Sequence, residues 1–181
     1  MKLAGDTEHC AVAWFGDAVP ETGQFWESVN FAALHKLPLL YVCEDNGYST
    51  QTPLFYRQPA ISLLDLLSGY ILLYRRRDET YEDGTLPWTF ERSSPLPLSG
   101  HIQCVTRARK TLPAIAVLDT YRFLEHVGPD DDRNLGYRSG AEIDAAIAAD
   151  PLPVVRGRCE PQDVEAIEAE VAAVIATMDA E

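Results

Sequence analysis

Three short apolar runs punctuate the chain: "CAVAWF" (10–15), "LPLLYVCE" (37–44) and "PAIAVLDTY" (113–121). The first is apolar on both faces of a pleat and bounded by a glycine, which predicts a central parallel strand covered on both sides. Between the first two runs the spacing changes. From Glu21 to Lys36, Phe25, Val29, Ala32 and Ala33 recur at i, i+4, i+7 and i+8, the period of a helix with one buried face. Pro38 marks the point where that helix has stopped. Strand, helix and strand in this order predict a βαβ unit with a right-handed crossover, and hence an α/β fold on a parallel sheet.

Residues 45–60 are rich in Asn, Gly, Ser, Thr and Pro and read as a long loop, followed by a short helix over 61–70 ended by Gly69. The segment from about 71 to 100 has no clear period and predicts irregular structure. "IQCVTRARK" reads as helical and 122–139 as a polar loop. Ser139 caps a helix over 139–149, and Pro161 opens a last one over 161–178. On the latter, Val164, Ile167, Val171, Val174, Ile175 and Met178 form an amphipathic stripe. A single domain over 1–181 is expected.

Bulk properties narrow the function. Twenty-eight acidic against fifteen basic residues give a net charge of −13, which argues against a nucleic-acid or anionic-membrane partner. Cys10, Cys43, Cys104 and Cys159 are too dispersed for a zinc site or a disulfide framework, so a reducing, cytoplasmic setting is expected. No apolar run approaches the roughly 18 residues of a membrane span, and the N-terminus shows no signal-peptide core.

Open parallel sheets bind ligands beyond the carboxyl ends of their strands. The groups following the three runs are therefore the candidates: Gly16 and Asp17; Glu44, Asp45 and Asn46; and Asp119, with Glu125 and His126 beyond it. A carboxylate from Asp17 and an amide oxygen from Asn46 suit a hard cation such as Mg2+, shared with phosphate oxygens. Gly16 would let the backbone approach a phosphate, with the following helix N-terminus favouring its charge. Residue types alone also allow Asp17 to be a helix cap and Asp45-Asn46-Gly47 a turn.

The whole stretch "WFGDAVPETGQFWESVNFAALHKLPLLYVCEDNGYSTQTP" resembles the cofactor motif of the alpha subunits of 2-oxoacid dehydrogenase E1 components, the pyruvate, branched-chain and acetoin dehydrogenases. There a Gly-Asp-Gly follows a strand, and a helix of the form G-x-F-x-E-x-x-N-x-A-A-L-x-x-L-P leads to a second strand ending in E-N-N. The likeness resumes at "VLDTYRFLEHVGPDDD" and "YRSGAEIDAAIAADPL", and covers residues 10–60 and 101–152.

This resemblance implies a three-layer thiamine-diphosphate-binding α/β fold, incomplete at the N-terminus, because the family's chains begin well before the first motif. It implies Mg2+ ligation by the side chains of Asp17 and Asn46 and the carbonyl of Tyr48, with Gly16, Ala18 and Val19 along the diphosphate. His126 matches the catalytic histidine of a mobile loop, which Arg122 and Tyr137-Arg138 would help order. The implied reaction is oxidative decarboxylation of a pyruvate-like 2-oxo acid, with acyl transfer to lipoamide. The implied partners are an E1 beta-like subunit in a heterotetramer, a lipoyl-bearing E2 component and a chain supplying the missing N-terminal half. Two-carbon ketol transfer, as in transketolase-like enzymes, and a non-catalytic interaction subunit are the alternatives. The sequence departs from the motif at Ala18, in place of the second glycine, and at Asp45, in place of the first asparagine. It also lacks the family's V-D-G-N-D passage.

Overall fold

A computed structural model describes residues 9–59, 63, 65–67, 89–93, 113–128 and 130–178. The chain divides into two compact units, residues 1–138 and 139–181.

The first unit is built on a sheet whose described strands are all parallel: β1 (Ala11–Gly16), β2 (Leu39–Asp45), β5 (Thr89–Ser93) and β6 (Ala114–Asp119), in the order β1-β2-β6-β5. Helix α1 (Gly23–Leu34) connects β1 to β2, as its periodicity predicts. Thr22 caps it: the Thr22 Oγ1 accepts from the Phe25 amide at 3.4 Å and donates to the Val19 carbonyl at 2.8 Å. A single 3-10 turn, Val19–Glu21 with Pro20 inside it, precedes the cap.

α1 turns Phe25, Val29, Ala32 and Ala33 onto one sheet face, where they meet Tyr41, Cys43, Ile115 and Val117 in one core cluster. Alternate residues of the same strands, Leu40, Val42, Ala114 and Ala116, are buried in a second cluster. β2 and β6 are thus apolar on both faces because both faces are buried. β1 differs from the expectation. Among the described residues it has only β2 beside it, and Val12 and Trp14 stand 54% and 62% exposed while Phe15 packs on the α1 side. Among the described residues β1 is an edge strand with one covered face, where "CAVAWF" reads as a central strand.

Residues 45–59 are more ordered than their composition suggests. Tyr48–Ser49 (β3) pairs antiparallel with Thr52–Pro53 (β4), and a one-turn helix α2 follows at Leu54–Arg57. Gly47 and Thr50 take positive φ values of 76° and 55°, and the Leu54 amide donates to the Gly47 carbonyl at 2.8 Å. Such side-chain-directed turns carry no hydrophobic period, which is why a periodicity reading passes over them. Residues 63 and 65–67 are helical, and β5 forms within the stretch expected to be irregular. The helix expected at 102–110 lies outside the described residues.

The described residues of the second unit form three helices, α3 (Gly140–Ala148), α4 (Pro151–Arg156) and α5 (Pro161–Met178). Ser139 Oγ accepts from the Glu142 amide at 3.1 Å and Asp150 Oδ1 from the Leu152 amide at 2.9 Å, so both short helices start on side-chain caps. Arg156 of α4 pairs with Glu168 of α5. The α5 stripe is as spaced, but Ile167, Val171, Val174, Ile175 and Met178 stand exposed. Among the described residues no helix is long and apolar enough to cross a membrane.

Candidate functional site

The register of the sheet aligns the polar residues after its strands. Gly16 lies opposite Glu44, and Asp45 lies opposite Asp119, so Asp17, Asp45-Asn46 and Asp119 follow one another along the carboxyl edge. Adjacent strands are about 4.8 Å apart, so these groups are close neighbours. The Thr120 amide donates to the Asp45 carbonyl at 2.9 Å and extends the β2–β6 ladder past the last strand residue.

Asp17 is 5% exposed, and because Thr22 caps α1, its carboxylate is not engaged as a helix cap. It pairs instead with Arg57, whose guanidinium also pairs with Glu21. Gln58 Nε2 donates to the Asp17 carbonyl at 3.0 Å and to Glu21 Oε1 at 2.9 Å. Burial holds the Asp17 carboxyl above its ordinary pKa. Arg57 opposes that shift and the charge of Asp45 adds to it.

Asp45-Asn46-Gly47 is a turn, as residue types allow: Asp45 Oδ1 accepts from the Gly47 amide at 3.1 Å and Asn46 Oδ1 from the Tyr48 amide at 3.0 Å. Asn46 Oδ1 accepts from one amide and an amide oxygen has two lone pairs, so the turn and cation ligation are compatible. Ala18 takes φ −83° and ψ −20°, an ordinary right-handed conformation, so replacing the second glycine of the motif costs nothing in backbone strain. A Cβ built on Gly16 would meet nothing within 4 Å, which leaves room beside the strand end.

The loop after β6 is built around Asp132, 2% exposed. Arg122 Nη2 reaches Asp132 Oδ2 at 3.5 Å and Arg138 Nη1 reaches the same oxygen at 3.6 Å, while the Tyr137 hydroxyl donates to it. Arg122 Nη2 also donates to the Tyr137 hydroxyl at 2.7 Å. Burial raises the Tyr137 pKa above its ordinary value, and the hydrogen bond to Asp132 adds to the rise, against the two arginines.

Both arginines reach back to the β2 end. Arg122 donates to the Thr50 carbonyl at 3.0 Å and Arg138 to the Asn46 carbonyl at 3.4 Å. The Arg138 guanidinium stacks over the rings of Tyr121 at 4.2 Å and Tyr48 at 4.6 Å. The structure therefore joins the Asn46–Tyr48 turn to the base of the histidine loop. His126 itself is exposed, in a turn closed by the Leu124–Asp131 bridge and by the Glu125 amide donating to Asp130 at 2.8 Å. Among the described residues it joins no hydrogen bond.

Asp17, Asn46 and Tyr48 thus share one edge, Arg122 and Tyr137-Arg138 organise the loop base, and His126 stands beyond it. Sequence reasoning missed Arg57 and Asp132. Nothing in "YRQP" marks Arg57, since its partners lie some forty residues earlier, and Asp132 is one of three consecutive aspartates.

Comparisons with known proteins bear on the whole arrangement. A family model described as "Dehydrogenase E1 component" matches residues 1–71. The chain is 30% identical to the 2-oxoisovalerate dehydrogenase subunit alpha of Bacillus subtilis (strain 168) over 160 residues, 84% of this chain and 43% of that protein. It is 28% identical to the chloroplastic pyruvate dehydrogenase E1 component subunit alpha-3 of Arabidopsis thaliana, across 85% of this chain and 33% of that one. It is 26% identical to the pyruvate dehydrogenase E1 component subunit alpha of Rickettsia conorii (strain ATCC VR-613 / Malish 7), across 86% of this chain and 44% of the relative. The chain spans less than half the length of each of these three relatives. With its motifs on one sheet edge, the chain is similar to the dehydrogenase E1 component over residues 1–71 and to E1 alpha subunits along most of its length.

Proposed function

We propose that the chain is the Mg2+–thiamine-diphosphate-carrying, alpha-like part of a 2-oxoacid dehydrogenase E1 enzyme. The reaction is oxidative decarboxylation of a pyruvate-like 2-oxo acid followed by acyl transfer to lipoamide. The observation that carries this reading is a buried carboxylate, Asp17, at a strand end, without a capping role and abreast of the Asn46 turn. A carboxylate that burial disfavours is more readily explained by a ligand than by stability.

The residues present fit the group. Asp17, Asn46 and the Tyr48 carbonyl make an all-oxygen donor set, which suits Mg2+. Gly16, Ala18 and Val19 would lie along the diphosphate, with open space at Gly16. When bound, thiamine diphosphate supplies the electron sink on which a 2-oxo acid loses CO2. The chain's share is to hold and orient. Arg138 fixes the Asn46 backbone and the Tyr48 ring, and Arg122 ties the base of the His126 loop to Thr50. His126, exposed on its loop, would meet the lipoyl group of an E2 partner and assist acyl transfer. An E1 beta-like partner would complete the site.

The test is calorimetric titration of thiamine diphosphate with Mg2+ into the chain, alone and with an E1 beta-like partner, beside Asp17→Ala. Saturable, Mg2+-dependent heat that disappears in the variant is the expected result. A second reading, a non-catalytic interaction subunit, is favoured by one observation: Arg57 already occupies the Asp17 carboxylate. Absence of binding in every mixture would select it.

A further inference from the structure

Arg57 is tightly held near the strand ends, and the cofactor reading gives it no task. Each guanidinium nitrogen has a partner: Nε donates to the Thr52 carbonyl at 3.2 Å, Nη1 pairs with Glu21 and Nη2 with Asp17. Its side chain is 9% exposed and that of Asp17 6%. The next residue, Gln58, binds the Asp17 carbonyl and the Glu21 carboxylate. Two consecutive residues thus strap α2 to the junction between β1 and α1.

The charges do not balance at this strap. Asp17 and Glu21 share one guanidinium, and Asp45 adds negative potential at Asp17. The junction can accept a further cation, but a divalent ion on the Asp17 oxygens and a guanidinium on the same oxygens repel each other. Glu21 gives Arg57 an alternative anchor, so it can leave Asp17 without becoming unpaired.

We propose that Arg57 is a resident counter-cation that exchanges with a divalent cation at Asp17, loosening the 52–58 segment from the end of β1 as it leaves. The cation's identity rests on the cofactor reading; the exchange rests on the Asp17–Arg57 pair. Arg57 is then a positioning residue. It keeps the buried carboxylate neutralised and oriented before the cation arrives, and it sets the apparent cation affinity.

Mn2+ binding to the full chain, followed by the paramagnetic resonance of the free ion, tests this in wild type, Arg57→Lys and Asp17→Asn. Lysine keeps the charge but cannot bridge both carboxylates and the Thr52 carbonyl, so Arg57→Lys should bind Mn2+ roughly tenfold more tightly. Asp17→Asn should lose the site. In wild type, saturating Mg2+ should speed hydrogen exchange across 52–58, where the Leu54 and Gln58 amides report on the strap. This readout needs no variant to fold.

Equal or weaker Mn2+ binding in Arg57→Lys, unchanged exchange, or no Mn2+ binding by any protein would overturn the proposal. A separate thiamine diphosphate titration tells the two readings apart. Tighter Mn2+ binding with no cofactor binding keeps the exchange and removes the cofactor; cofactor binding indifferent to Arg57 does the reverse.

Discussion

Two clusters at the carboxyl edge of the sheet bury an aspartate against arginine, and they differ in charge ratio. At the β1 end, Asp17 and Glu21 share Arg57. At the β6 end, Asp132 faces both Arg122 and Arg138 and accepts from Tyr137. The β6 cluster gathers three donors on one oxygen of its anion, Asp132 Oδ2, and Arg138 is fixed by ring stacking and backbone acceptors as well. The β1 cluster keeps an excess of negative charge on a carboxylate that burial already disfavours. One is arranged to hold a loop; on the proposed reading, the other receives a cation.

The largest test of that contrast is Asp132→Asn. It strips a buried cation pair of its counter-charge, which typically costs about 3 to 5 kcal/mol. Urea denaturation should show the loss, together with faster proteolysis of the 122–138 loop.

Tyr137→Phe removes two hydrogen bonds from the same cluster and should cost about 1 to 2 kcal/mol. The Tyr137 pKa is raised above its unfolded value of about 10. Its contribution is therefore complete below that pH and lost as pH rises through the folded value. An ultraviolet titration should find one fewer tyrosine ionising above the ordinary range in the variant than in wild type, since burial raises Tyr41 in both.

Thr22→Ala should cost about 1 kcal/mol by uncapping α1, read as lower thermal stability. Asp17→Asn should cost less still at neutral pH. A carboxyl raised above its unfolded value of about 3.9 contributes stability below that pH and loses it as pH rises through the folded value. Asparagine keeps the neutral form that burial favours, so the variant should match wild type within about 1 kcal/mol in urea. A loss as large as that of Asp132→Asn would erase the contrast between the clusters.

The same contrast shows what the sequence could reveal. Both faces of β2 and β6 are buried, so their unbroken apolar runs announce parallel strands. The α1 stripe is visible because four of its residues share one core. Thr22, one residue before the helix, resolves the ambiguity over Asp17 only once its hydroxyl is seen on the Phe25 amide. The Asn46 turn was readable from residue types. The α2 turn was not, because Gly47, Thr50 and the Arg57 strap shape it in place of a hydrophobic face.

β1 misled for a related reason: Val12 and Trp14 look like core residues, yet no described residue covers their face. Charge partners distant in sequence, Arg57 on Asp17 and Arg138 on Asn46, leave no local pattern. They become legible only when the sheet brings the strand ends together.

The most direct measurement of the central claim is the Mg2+-dependent heat of thiamine diphosphate binding to this chain with an E1 beta-like partner, in wild type and Asp17→Ala. Saturable binding in wild type and none in an equally folded variant is the result expected if Asp17 holds the cation. Binding of equal affinity in both, or in neither, would contradict it.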